Sequence, residues 1–111
     1  MNWVVETLNE TVYKELEALE PSLKAKFLRI AEMLEQLGPD KVREPHVKPL
    51  EKKLWEIRMK GQSGIARAIY ITVKERRIVV LHAFVKKTQK TPRSAIELAL
   101  KRLEELKKWQ H

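Results

Sequence analysis

The sequence predicts a two-layer α+β domain, and three observations carry that expectation. Three strand-forming runs, LWEIRMK, ARAIYITV and IVVLHAFV, follow one another between Leu54 and Val85 with only short polar links, and such a series folds as an antiparallel meander. Two amphipathic stripes precede the runs, one on each side of Pro21, and a third follows them. Each stripe has one apolar face, which needs a sheet to cover.

In chain order, Trp3, Val4, Val5, Thr7 and Leu8 read as a first strand that stops at Asn9. Asn9 is placed to cap a helix whose inner face is Val12, Leu16 and Leu19, and Pro21 breaks it. Ser22 is placed to cap a second helix with Leu23, Phe27, Ile30, Leu34 and Leu37 on one stripe, ended by Gly38-Pro39. Residues 40–53 carry Pro45 and Pro49 and show no period, so they read as an extended connection. In LWEIRMK, Trp55, Ile57 and Met59 face one way and Leu54, Glu56, Arg58 and Lys60 the other. GQSG (61–64) is a turn, and Lys74-Glu75-Arg76-Arg77 is a second, tighter one. Thr91 is placed to cap the last helix, with Pro92 at its first position and Ile96, Ala99, Leu100, Leu103 and Leu106 inward. The expected order is β-α-α-β-β-β-α: a small, mostly antiparallel four-stranded sheet, a helix hairpin on one face, and the last helix at the other face or an edge.

Composition narrows the function classes. The 111 residues suit one domain over 1–111. With no cysteine, disulfide and thiolate chemistry are out and a reducing, cytoplasmic setting fits. The start, MNWVVETLNE, is too acidic for a secretory leader, and no apolar run reaches the length of a membrane span. The net charge of +8 is unevenly spread. Residues 1–40 hold four basic and eight acidic side chains, net −4, whereas residues 41–90 hold fourteen basic and four acidic, net +10. A field concentrated in this way calls for a polyanionic partner, nucleic acid first.

Most catalytic sets are missing. His46, His82 and His111 have no ligand spacing, no serine has a base at a recognisable offset, and no glycine-rich phosphate loop is present. No metal or other cofactor is expected. Arginines and lysines on strands remain. Taken singly, each strand arginine reads equally as a solvated cation or as the partner of a helix glutamate. Taken together they form a pattern, because a meander brings the end of one strand beside the start of the next. Arg58, Lys60, Arg67, Lys86 and Lys87 are therefore expected at one edge, with Lys53, Lys90 and His46 as further RNA contacts. RNA carries its own nucleophile, the 2′-hydroxyl. Convergent cations then suffice to orient it, to neutralise the phosphorane and, through a lysine of lowered pKa, to accept its proton.

The strand LWEIRMKG, the following GIAR and the segment LHAFVKKTQKTP resemble the RelE/HigB superfamily of toxins from toxin–antitoxin modules, in particular the HigB-like, phage-derived branch. The likeness covers roughly residues 50–105. It implies an mRNA endonuclease (mRNA interferase) that cleaves messages in the ribosomal A site without a metal, leaving a 2′,3′-cyclic phosphate. It also implies a small helix-turn-helix antitoxin, through which alone the toxin would reach operator DNA. Carried over, Arg58 matches a basic strand position at the scissile region and Arg67 the arginine that stabilises the phosphorane. Lys86 or Lys87 matches the basic position after the last strand. Relatives with a tyrosine or histidine near the C-terminus have no counterpart before His111. His82 and Tyr70 are the fallback acids, both placed in strand cores. Two other readings stand beside this one: a ParE-like toxin that blocks gyrase, and a non-catalytic basic nucleic-acid-binding module.

Overall fold

The computed structural model describes residues 2–62, 64–87 and 90–109. The chain runs β1 (Val4–Thr7), α1 (Glu10–Glu17), α2 (Pro21–Leu37), β2 (Val47–Pro49), β3 (Trp55–Lys60), β4 (Ile65–Val73), β5 (Arg77–Lys86) and α3 (Arg93–Trp109). The sheet has five strands in the order β1-β5-β4-β3-β2, not four. The extra strand, β2, comes from the two-proline connection. It pairs antiparallel with β3 over only three residues, Val47 to Pro49, at a sheet edge where a proline lacking its N–H is tolerated. The meander β3-β4-β5 is antiparallel, with one register shift between Ile69 and Tyr70, and β1 runs parallel to β5.

Helices cover both faces, so the fold has three layers rather than two. β4 and β5 are buried on both sides, which is why they read as continuous apolar runs rather than alternating ones. On one face Ile57, Met59, Ala68, Tyr70, Ile78 and Val80 pack on Val12, Leu16, Leu23, Phe27, Ile30 and Leu34 of the hairpin. On the other, Leu54, Ile69, Ile71, Val79 and Leu81 pack on Ala95, Ala99, Leu103 and Leu106 of α3.

Three local expectations change at the helix ends. Asn9 caps α1 as expected, its Oδ1 accepting from Val12 N–H at 3.1 Å. Pro21, however, starts α2 instead of merely ending α1; its missing N–H is one that a first turn leaves unpaired anyway. Ser22 is thus inside the helix, and Glu20 precedes it without a side-chain cap. Thr91 is not at the cap position of α3, because the helix starts two residues later, at Arg93, and the Thr91 hydroxyl donates to Glu56. Gly38 ends α2 at φ +89°, a conformation that suits glycine, directly beneath Trp3.

Side chains close both flanks of β5 and β1. Glu35 on α2 takes Val5 N–H at 2.8 Å, so the outer edge of β1 is not left as a pairing template. Where β1 ends, Glu15 takes over: its carboxylate accepts from Ala83 N–H at 3.0 Å and from Arg102 on α3 at 3.0 Å, and lies 2.9 Å from His82 Nδ1. One carboxylate thereby ties α1, β5 and α3 together.

Candidate functional site

Strand register assembles the site. Arg58 on β3 lies directly opposite Arg67 on β4, and Arg67 lies opposite Phe84 on β5. Two pairs further out, Ile65 stands between Lys60 and Lys86. Two pairs further in, Glu56 lies opposite Lys48 on β2 and Ile69 on β4. All of these share the face that carries α3, by the two-residue period of a strand. The apolar contacts of α3 lie further along that face, which leaves the Lys60 end open. There a pocket of about 260 Å³ is lined by Pro45, Arg58, Lys60, Ile65 and Arg67.

Two arginines directly across a ladder repel one another, and a carboxylate is what holds them. Glu56 is buried, 2% exposed. Its Oε2 lies 3.4 Å from Arg67 Nε and 3.9 Å from Arg58 Nε. Its Oε1 accepts from the Thr91 hydroxyl at 2.5 Å. Arg67 is equally buried; its Nη1 donates to Ala66 O at 2.9 Å, while its Nε has no hydrogen-bond partner. Arg58 is half-buried and also faces Glu44 at 3.9 Å. Burial pulls the Arg67 guanidinium below its ordinary range, with Glu56 opposing that shift and Arg58 adding to it. The Lys86 ammonium is held below the usual amine value by burial first and by Arg67 second; Glu56 opposes, and Arg58 and Lys48 add.

The structure brings Arg58, Arg67 and Lys86 together, with Lys60 on the exposed rim of the pocket. His46 lies beside them: its carbonyl accepts Arg58 N–H at 2.8 Å. Lys87 is exposed immediately after β5. Lys90 lines a separate groove with Glu51, Thr91 and Arg93, on the approach to α3. Lys53 is not part of the cluster; it lines a cavity with Ile71, Val73 and Leu103 at the opposite end of the sheet. Neither fallback acid is in the pocket. Tyr70 is buried against the helix hairpin, where burial pushes its phenol up, and His82 is held by Glu15 and stacked on Phe84. Thr88 and Gln89 of the LHAFVKKTQKTP segment, Ser63 of the turn, and His111 lie outside the described residues.

Three participants escape sequence reasoning. Glu56 reads as a solvated strand residue, although its i, i+2 relation to Arg58 is a legible sign that it shares the arginine face. Thr91 reads as a helix cap. Lys48 gives no signal, because β2 is not recognised. Among the described residues there is no group of three or more His, Asp or Glu side chains able to hold a metal ion, and no helix long and apolar enough to cross a membrane.

Residues 14–104 match the family described as phage derived protein Gp49-like (DUF891). The chain belongs to this family. Gp49-like proteins are of the RelE/HigB toxin type. Among solved structures the fold is similar to a chain of the archaeal RelE–RelB complex from Pyrococcus horikoshii OT3. The TM-score is 0.56 and the identity 27%, and the match covers 77% of this chain and 96% of that one. No curated protein matches the chain significantly. The Gp49-like match spans all of the basic cluster, from Arg58 to Lys86, and the Glu56–Thr91 pair that holds it.

Proposed function

We infer that this protein is the toxin of a toxin–antitoxin pair, a metal-independent mRNA endonuclease of the HigB-like branch that acts on translated messages. The observation that carries the reading is the placement of Arg58 and Arg67 in the wall of one open pocket, with Lys86 near enough to Arg67 to feel its charge, in a chain of a RelE/HigB-type family. A phosphodiester seated there meets two guanidinium groups able to share its oxygens. The Lys86 amine, lowered by burial and by Arg67, takes the 2′-hydroxyl proton. The 2′-oxygen bonds to phosphorus, the bond to the 5′-oxygen breaks, and a 2′,3′-cyclic phosphate results. The arginines neutralise charge on the phosphorane between those two events. Among the described residues the pocket wall carries no histidine or tyrosine, and we assign protonation of the leaving 5′-oxygen to solvent. Lys60, Lys87, Lys90 and His46 extend the RNA track around the pocket.

The RelE–RelB complex supports an antitoxin as the protein partner; a small helix-turn-helix protein, inhibiting the toxin and carrying it to operator DNA, suits this branch. The ribosomal A site is the expected place of action and the cytoplasm the compartment. The test is induction of the wild-type chain and of Arg58→Ala in a bacterial host, with growth and mRNA 5′ ends followed together. Arrest with new 5′ ends inside translated messages, both lost in Arg58→Ala, is the expected result. Arrest without new ends would turn the reading to a gyrase poison. No arrest from folded protein would turn it to a non-catalytic binding module.

A further inference from the structure

We propose that Glu56 is the positioning residue of this site: through its two oxygens it fixes the arginine pair and, by way of Thr91, ties that pair to the approach to α3. The inference rests on the ribonuclease reading for its kinetic consequences but not for its geometry.

The first observation is burial. A carboxylate that is 2% exposed is costly to desolvate, and it persists only where each oxygen is engaged. Both are, by different elements. Oε2 faces β4 and its own strand through Arg67 and Arg58. Oε1 faces the approach to α3 through Thr91. At that depth Glu56 does not touch a bound phosphate; it acts through the side chains it holds.

The second observation is the place of Thr91. It lies next to Lys90 on the approach to α3, two residues before that helix starts at Arg93. A hydrogen bond of 2.5 Å from Thr91 to Glu56 joins that approach to the strand carrying Arg58. The third is the unpaired Arg67 Nε, buried 3.4 Å from Glu56 Oε2. The guanidinium is thus held by charge and packing short of a full hydrogen bond, and removal of the carboxylate frees its orientation. Small displacements at such a point are expensive, since a 1 Å misplacement costs on the order of 10²-fold in rate.

The test compares the wild-type chain with Glu56→Gln, Thr91→Val and Thr91→Ser, each checked for folding by Tm. Two measurements are made: single-turnover cleavage across pH of a short mRNA programmed on ribosomes, and NMR of arginine Nε–Hε signals in the free protein. Thr91→Ser is expected to match wild type in both. Thr91→Val is expected to lose about tenfold in the cleavage step with little change in RNA affinity, and to shift the Arg67 signal. In Glu56→Gln the Arg67 signal is expected to broaden. Lys86 then faces Arg67, Arg58 and Lys48 without their counter-charge, so the limb of the rate profile that reports its deprotonation moves to lower pH. A merely structural role would leave that limb in place. Unchanged arginine signals in Thr91→Val would overturn the proposal, as would wild-type cleavage and an unmoved limb in both variants. If the wild-type protein cleaves no RNA while the arginine signals respond as expected, the ribonuclease reading fails and the positioning role stands.

Discussion

At the scale of single residues, the site is a set of cations around one carboxylate, and the two arginines are not equivalent. Arg67→Ala leaves Glu56 buried beside one remaining, more distant guanidinium. It should destabilise the fold by about 2–4 kcal/mol, measured by urea unfolding. Arg58 is half-exposed, its nearest acidic atoms are 3.9 Å away, and Arg58→Ala should change stability by less than about 1 kcal/mol. That is why Arg58 is the cleaner probe of activity. Lys86 has a pH signature. Its amine lies below the usual 10.5 in the folded state, so the unfolded chain binds the proton more tightly. Its charge therefore opposes folding at neutral pH, and the opposition fades as pH rises towards 10.5. Replacing Lys86 by Met should stabilise the protein at pH 7, with a gain that shrinks at pH 10; a gain that grew with pH would contradict the assignment. Arg58 and Arg67 were legible in the sequence as members of one sheet edge, because the meander brings the end of one strand beside the start of the next; that they stand directly opposite one another is a matter of register. Glu56 was not, because alternation assigns a residue to a face but says nothing about what later covers it. The buried Glu56 carboxylate is engaged by Thr91, thirty-five positions away in sequence.

At the scale of elements, the long ones were readable and the short or borrowed ones were not. The stripes of α1, α2 and α3 and the runs of β3, β4 and β5 each carry enough apolar residues to set their period. β2 has three residues and a proline, and exists only because β3 offers an edge. The β4–β5 turn was also readable, but not its strain: Glu75 and Arg76 sit at φ +65° and +57°, where an L residue with a Cβ is disfavoured. Glu75→Gly should raise stability by about 1 kcal/mol, seen as a higher urea midpoint at constant slope. The Glu15 junction gives an acid-side counterpart. Burial pushes its carboxyl up, but the Arg102, His82 and Ala83 hydrogen bonds outweigh that and hold it below 4.5. Its stabilising effect is complete above that value and is lost as pH falls through the lower, folded one. Glu15→Gln should flatten the acid limb of the stability profile; an unchanged limb would show that the junction contributes nothing.

At the scale of the whole molecule, the cations divide between two ends of the sheet. Lys60 stands at the pocket and Lys53 at the far cavity. If RNA lies across the pocket, Lys60→Ala should reduce the salt slope of binding by about 0.7–1, and Lys53→Ala should leave it unchanged. Equal reductions would mean that the RNA track spans both ends. The helix hairpin adds something that neither end has alone. The first 40 residues, net −4, lie with it, mostly away from the arginine face. The molecule is therefore an electric dipole as well as a cation, and a dipole turns in a field before it touches anything. Approaching a polyanion, it should rotate pocket-first during the encounter, so fewer collisions are wasted on the wrong side. Neutralising acidic residues on the outer surface of the hairpin, far from every RNA contact, should then slow association at low salt while leaving dissociation alone.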